Sequence, residues 1–177
     1  MKEQLNEFSS ALLNYSAAIK INENDPDYYY FRAGVRVKLK DFKGAIKDYS
    51  KVITLDPNNF WAFHNRGEVK NSISDFKGAE TDFAEALKIN SQFLWSYVKR
   101  AYMRSKNGDH INAIEDFDNA IRIDPKKDFL FNSRGFSKSQ TGDYIGAIKD
   151  LSSALSLDPN NEPVSYTHLR AHETPVN

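Results

Sequence analysis

A repeat of 34 residues constrains this chain more than any other feature of its sequence. Several residue types recur at that spacing, and no insertion or deletion interrupts the count. The clearest rows are Arg32, Arg66, Arg100 and Arg134, and Ala11, Ala45, Ala79, Ala113 and Ala147. Recurrence in phase indicates an array in which each copy forms the same supersecondary unit and stacks on its neighbours.

Each copy is predicted to form two helices. In the copy 60–93, apolar residues three or four positions apart follow one stripe in each half, which is the spacing of a helix face. An aspartate between the two halves is a suitable N-cap for the second helix. The predicted caps are Asp41, Asp75, Asp109 and Asp143, with Glu7 in the first copy. The second helix is expected to end at Asp56-Pro57, Asp124-Pro125 and Asp158-Pro159, because proline disfavours the helical conformation of the residue before it.

Small and large residues alternate in rows along the second helices and predict how the helix pairs pack. Besides the alanine row above, a second row of small residues comprises Ala18, Val52, Ala86, Ala120 and Ala154. Between these rows lie Tyr15, Tyr49, Phe83, Phe117 and Leu151. Small side chains let two helix backbones approach while a neighbouring ring fills the space, so a bulky replacement in an alanine row should overpack the core.

This pattern resembles the tetratricopeptide repeat family, whose period is also 34 residues. The family's row of small residues on the first helix appears here as Ala33, Gly67, Ala101 and Gly135. Two departures stand out: arginine takes the place of the family's usual leucine in every full copy, and Glu23 and Ser91 replace the terminal proline in two copies. The resemblance implies an all-α, right-handed superhelical solenoid of antiparallel helix pairs.

The repeat array is expected to cover residues 1–161 as one elongated domain without an internal linker. We assign a partial repeat to 1–25 and full repeats to 26–59, 60–93, 94–127 and 128–161. Because Met1 falls inside what would be a first helix, we favour a chain cut from a longer protein over a shortened cap. Residues 162–177 are expected to be non-native, since Val164–Thr174 resembles a translated sequencing-adapter sequence. The natural protein would then continue past Pro163.

Composition excludes several classes of partner. The 24 basic and 24 acidic side chains balance, whereas nucleic-acid binding requires a concentrated basic surface. Cysteine is absent, so disulfides and cysteine-ligated metals are excluded. No apolar run approaches the roughly 20 residues needed to cross a bilayer, and no signal peptide is visible. We therefore expect no nucleic-acid or membrane partner and favour a cytoplasmic location.

No group of residues indicates catalysis, so we expect a non-enzyme without a cofactor or metal. Gly44, Gly78 and Gly146 occur singly and form no phosphate-binding loop. His110 occupies the position of Phe42 in the repeat and is expected to be a packed ring. His168 and His172 have the spacing of a metal pair on a helix, but they belong to the adapter-like segment.

Two charged rows allow two interpretations. The arginine row is followed four residues later by Arg36, Lys70, Arg104 and Lys138, and the second helices carry Asp48, Asp82, Asp116 and Asp150. The basic residues could form a track for phosphates or acidic peptides, or they could pair with the aspartates within and between hairpins. We favour the ladder of ion pairs, because a ligand track would not need an acidic row in phase with it.

The resemblance also implies a partner-binding groove along the concave face that the first helices form. Carried over position by position, the predicted groove residues are Tyr30, Phe31, Trp61, His64, Asn65, Glu68, Trp95, Val98, Lys99, Tyr102, Phe129, Asn132 and Phe136. Both tryptophans belong to this set, and aromatic anchors often dominate recognition. The alternative is that Trp61 and Trp95 pack between hairpins.

The predicted function is a non-catalytic scaffold or adaptor that binds a partner protein or peptide in this aromatic-rich groove. A carboxylate clamp for chaperone tails is not expected: Asn65 matches it, but Tyr30, Gly34, Val98 and Tyr102 occupy its other positions. Two alternatives remain open. The chain could be the repeat array of a larger enzyme or signalling protein that docks its own missing domain, or it could be a module for self-association.

Overall fold

The computed structural model describes residues 2–159, with side chains from residue 6 onward. The regular structure of these residues is entirely α-helical. The helices are α1 (Lys2–Ile21), α2 (Pro26–Lys38), α3 (Phe42–Leu55), α4 (Phe60–Ser72), α5 (Phe76–Ile89), α6 (Leu94–Lys106), α7 (His110–Ile123), α8 (Asp128–Gln140) and α9 (Tyr144–Leu157). From Pro26 onward, the helix starts follow the period of the sequence. The adapter-like segment, with His168 and His172, lies outside the described residues.

Contacts divide the chain into two compact units, Met1–Ser91 and Gln92–Asn177. In the first, α2 packs against α1 and α3, and α4 packs against α3 and α5. In the second, α7 packs against α6 and α8, and α8 packs against α9. Each unit is therefore a stack of helical hairpins, which is the all-α architecture of a helical-repeat solenoid. The single uninterrupted array and the right-handed superhelix stay predictions.

The predicted aspartate caps are confirmed in the four full copies. The side chains of Asp41, Asp75 and Asp143 accept hydrogen bonds from Gly44, Gly78 and Gly146 N–H at 3.0, 3.0 and 2.9 Å, and Asp109 accepts from Asn112 N–H at 3.3 Å. The residue before each aspartate has a positive φ, between 60° and 85°, in Lys40, Ser74, Gly108 and Gly142. This left-handed residue reverses the chain between the two helices of a hairpin.

The prediction that Glu7 caps a second helix is wrong. Helix α1 runs without interruption from Lys2 to Ile21, so Glu7 lies inside it. Glutamate is a good helix former and a poor N-cap residue, and Asn6 before it stays helical instead of turning. The helix continues because nothing in the local sequence forces the chain to turn.

The predicted rows form the core. Ala45, Ala79, Ala113 and Ala147 are fully buried, and so are the rings of Phe83 and Phe117. A β-carbon added to Gly67 would lie 3.0 Å from the ring of Phe83, and one added to Gly135 would lie 3.1 Å from the carbonyl oxygen of Ala147. The neighbouring helix thus approaches closely at these two positions, where the other full copies carry the fully buried Ala33 and Ala101.

The second helices end where the Asp-Pro pairs predict, at Leu55, Ile123 and Leu157. Helix α5 ends at the equivalent residue, Ile89, although its copy lacks the proline. There the N–H of Asn90 donates to Ala86 O at 2.9 Å, as in the other copies. Proline is therefore not required to end the helix at this position.

Candidate functional site

The charged rows form the ladder of ion pairs that we favoured. Arg66 binds Asp82 through two hydrogen bonds, Nε to Oδ2 at 2.9 Å and Nη2 to Oδ1 at 2.6 Å. Lys70 Nζ adds a contact of 2.8 Å to the same carboxylate, whose side chain is 2% exposed. The other copies repeat this arrangement with Asp48 between Arg32 and Arg36, Asp116 between Arg100 and Arg104, and Asp150 between Arg134 and Lys138.

The arginines also link successive hairpins within each unit. Arg32 donates to Ser16 Oγ at 3.1 Å and Arg66 to Ser50 Oγ at 2.9 Å, while Arg134 donates to Asp118 Oδ1 at 2.6 Å. The hydrogen bonds to Asp48 raise the pKa of Arg32 above its ordinary value, against the opposing effect of burial. These cations are occupied by internal partners, so they are poor candidates for a ligand track.

An aromatic row that the sequence analysis did not single out completes this network. The first arginine of each copy (Arg32, Arg66, Arg100 and Arg134) lies over a ring three residues before it, with 5.5–6.0 Å between the guanidinium carbon and the ring centroid. The rings are Tyr29, Phe63, Tyr97 and Phe131. The signal was present in the sequence, since these residues also recur every 34 positions.

Exposed aromatic side chains concentrate on the first helices. Trp61 and Trp95 are 45% and 43% exposed, so neither ring is sealed between hairpins. Phe31, Tyr102 and Phe136 are exposed to a similar extent. Such surface costs free energy in water, and contiguous exposed apolar surface is typical of an interaction site.

Two residues of the predicted groove are instead buried. His64 is 4% exposed, and its ring contacts Phe83 and Trp61 at centroid distances of 5.7 and 6.3 Å. Val98 is 2% exposed and belongs to the core of the second unit. These two side chains support the surface around them but do not present themselves to a ligand.

The first unit has an open cleft of about 380 Å³ between the starts of α2 and α4. It is lined by Asp27, Tyr30, Phe31, Asn59 and Trp61. The hydroxyl of Tyr30 accepts a hydrogen bond from Asn65 Nδ2 at 2.8 Å, and burial raises the pKa of this tyrosine. A smaller recess of about 200 Å³ includes Asn65 and Glu68 in its lining. The structure thus brings five predicted groove residues of this unit together.

The second unit has a cleft of about 350 Å³ along α6 and α8. It is lined by Tyr102, Ser105, Lys106, Phe117, Asn132, Ser133 and Phe136. A hydrogen bond of 2.7 Å joins the hydroxyls of Tyr102 and Ser133. Trp95 and Phe129 are not part of this lining. Their rings stack on each other at 6.4 Å and an angle of 5°.

Six residues that line these clefts are not in the predicted set: Asp27, Ser105 and Ser133 lie at other ligand-facing positions of the first helices, and Asn59, Lys106 and Phe117 were missed. Asn59 caps α4 through a hydrogen bond from Ala62 N–H, and the residue type at its position changes between copies. Phe117 belongs to a packing row, so the period indicates burial and not access. Lys106 ends α6, where a basic residue is explained by the helix dipole alone. Only Asn59 could have been found, as a polar residue next to the predicted Trp61.

The described residues contain neither a cluster of metal-ligating side chains nor a membrane-spanning helix. No group of three or more histidine, aspartate or glutamate side chains in residues 2–159 is arranged to hold a metal ion. Within the same residues, no helix is both long enough and apolar enough to span a bilayer.

Stacked helical hairpins with exposed aromatic clefts define a class of protein, the helical-repeat solenoids. Comparison with family models gives the family within that class. A TPR repeat model matches residues 34–70, and a tetratricopeptide repeat model matches residues 96–127 and 130–161. The chain belongs to the tetratricopeptide repeat family. No curated protein sequence matches it.

Solved structures share this fold at low sequence identity. MamA from Desulfovibrio magneticus RS-1 is 20% identical and superposes with a TM-score of 0.79, covering 90% of each chain. YrrB, described as a TPR protein with an unusual peptide-binding site, is 20% identical with a TM-score of 0.75, covering 96% of this chain and 84% of its own. The C-terminal part of a TPR repeat-containing protein from Cytophaga hutchinsonii is 17% identical with a TM-score of 0.83, covering 98% and 70%.

Proposed function

We propose that this chain is a non-catalytic scaffold or adaptor that binds a partner polypeptide on the exposed aromatic surfaces of its first helices. The observation that carries the proposal is the concentration of exposed rings on the first helices, where Trp61 and Trp95 are 45% and 43% exposed. Tryptophan is strongly enriched among the residues that dominate protein interfaces. One similar structure, YrrB, is described as having a peptide-binding site.

The physical basis is the contrast between constant and variable positions. The ladder arginines and the alanine rows are nearly identical in every full copy, because they hold the hairpins together. The exposed positions of the first helices differ from copy to copy, for example Phe31, Asn65, Lys99 and Ser133 at one position of the repeat. A surface that varies along its length suits an extended polypeptide, whose successive side chains also differ.

The test is selection from a displayed library of random peptides on the wild-type chain, followed by calorimetry with the enriched peptides. We expect Trp61→Ala and Trp95→Ala each to weaken binding, since truncating an interface anchor costs about 2 kcal/mol or more, and the double variant to abolish it. The helical circular-dichroism signal should persist in all variants.

Ile111 and Ile145 provide matched controls, because both are exposed apolar residues on second helices. Ile111→Ala and Ile145→Ala should leave peptide binding unchanged. Failure to enrich any peptide, or enriched peptides that depend on the isoleucines and not on the tryptophans, would contradict the proposed function. Sedimentation of the wild-type chain over a range of concentrations separates partner binding from self-association.

A further inference from the structure

The cleft of the first unit combines aromatic walls with a single negative charge. Of its five lining residues, three are aromatic: Tyr30, Phe31 and Trp61. Asp27 is the one charged residue in this lining. Aromatic faces and carboxylates both attract cations, the faces through the quadrupole of the ring and the carboxylate through its charge.

The rings of this cleft are held in place by their neighbours. Phe31 stacks on Tyr15 at 6.0 Å and meets the edge of Tyr30 at 5.7 Å. Trp61 stacks on Phe60 at 5.3 Å. A ligand would therefore meet walls that are already ordered, which reduces the entropy lost on binding.

Asp27 is unusual for its position in the repeat. The equivalent residues of the other full copies are Trp61, Trp95 and Phe129, all of them aromatic. The first copy thus places a carboxylate where the others place a ring. Asp27 also lies in the first turn of α2, where an acidic residue interacts favourably with the helix dipole. A test of the cleft therefore needs a control residue with the same role.

Helix N-termini near this cleft favour anions, which is the main argument for a different occupant. Both N-termini are already capped: the Asp25 side chain accepts from Asp27 N–H at 3.0 Å, and Asn59 Oδ1 accepts from Ala62 N–H at 3.0 Å. Asn59 Nδ2 also donates to the carboxylate of Asp56 at 3.1 Å. The charged residues in these capping contacts, Asp25, Asp27 and Asp56, are all carboxylates.

We infer that the cleft formed by Asp27, Tyr30, Phe31 and Trp61 binds a positively charged side chain of the partner polypeptide, an arginine, a lysine or a methylated lysine. This inference rests on the proposed function and adds the chemistry of one subsite. The cleft of the second unit serves as an internal contrast, because its charged lining residue is Lys106 and it would repel the same group.

The experiment uses the full chain with Trp95→Phe, so that Trp61 is its single tryptophan and reports on this cleft. The probes are capped pentapeptides with glycine around one central residue: arginine, lysine, trimethyllysine, norleucine or glutamate. Fluorescence titrations at fixed ionic strength should give saturable binding of the cationic peptides, with the uncharged norleucine peptide about tenfold weaker. Asp27→Asn should weaken the cationic peptides about threefold to fivefold.

Asp128→Asn is the matched control, since Asp128 is also an acidic residue in the first turn of a first helix but lies outside the cleft. It should leave peptide binding unchanged. Norleucine or glutamate binding as tightly as lysine would overturn the inference, and so would equal effects of Asp27→Asn and Asp128→Asn. If library peptides bind through Trp61 without preference for a basic residue, the inference fails while the proposed function stands. If no library peptide binds at all, both the proposed function and this inference are contradicted.

Discussion

Two cations share each buried aspartate of the ladder, and this makes single aspartates more important than single arginines. Arg66 and Lys70 both contact Asp82 and are themselves mostly buried, with 17% and 18% of their side chains exposed. Removing one cation would leave an ion pair, whereas removing the carboxylate would leave two like charges close together. Buried charges without a counter-ion are strongly destabilising.

Asp82→Asn should therefore lower the free energy of unfolding by about 3 kcal/mol. Asparagine keeps the size and one hydrogen-bond acceptor, so the loss would report mainly the missing charge. Urea titration followed by circular dichroism is the appropriate measurement. Glu85→Gln provides the comparison, because Glu85 forms an exposed pair with Lys88 at 3.4 Å and should change stability by less than about 0.5 kcal/mol. Equal effects of the two substitutions would show that the ladder contributes no more than a surface pair.

Within each hairpin, the turn before the second helix has the same conformation in every full copy, but the residue type that adopts it differs. Lys40 and Ser74 have φ values of 60° and 64°, while the third and fourth copies use Gly108 and Gly142 at 83° and 85°. A side chain in the left-handed region costs about 1–2 kcal/mol, which glycine avoids. The first two full copies therefore keep some strain that the last two have relieved.

Lys40→Gly should stabilise the chain by about 0.5–1 kcal/mol, because relief of this strain exceeds the added flexibility of the unfolded chain. The reverse change, Gly108→Lys, should destabilise it by about 1 kcal/mol. Both effects are measurable as shifts of the urea midpoint. Lys126→Gly, in the connection between α7 and α8, should be slightly destabilising, since glycine there only adds flexibility. A destabilising Lys40→Gly would contradict this account of the turn.

At the scale of the whole molecule, most of the fold could be predicted because the repeat multiplies weak signals. A single aspartate such as Asp75 is a weak signal for a helix N-cap. The same residue type at four equivalent positions indicates a turn in every full copy. The prediction of a cap at Glu7 is wrong because it relied on the repeat period at a position where the local sequence differs from the other copies. The clefts were only partly predictable. The repeat period shows which positions vary between copies, but it does not show that His64 is buried and Trp61 is exposed.

The folded state should lose stability at alkaline pH because of two tyrosines in the first unit. Burial raises the pKa of both Tyr30 and Tyr49, so the folded state keeps protons that the unfolded chain loses above about pH 10. Their contribution is thus complete below that pH and is lost as the pH rises toward the folded-state pKa values. The equivalents of Tyr49 in the second unit, Phe117 and Leu151, do not titrate.

We therefore expect the thermal midpoint of the wild-type chain to fall between pH 9 and pH 11, and Tyr49→Phe to reduce that fall. Thermal scans by circular dichroism at a series of pH values are the measurement. A purely steric effect of the substitution would shift the midpoint equally at every pH. Such a parallel shift would show that ionisation of Tyr49 does not limit stability.

Arg32, Arg66, Arg100 and Arg134 each pair with an aspartate 16 residues later in the same copy. Every module, meaning one 34-residue copy, thus supplies the cations that neutralise its own buried aspartate. The chain could lengthen or shorten by whole modules, through duplication or loss of coding sequence, without stranding a buried carboxylate. An insertion or deletion between the arginine and the aspartate of one copy would put the two residues out of step, so the network restricts where such a protein can change length as it evolves.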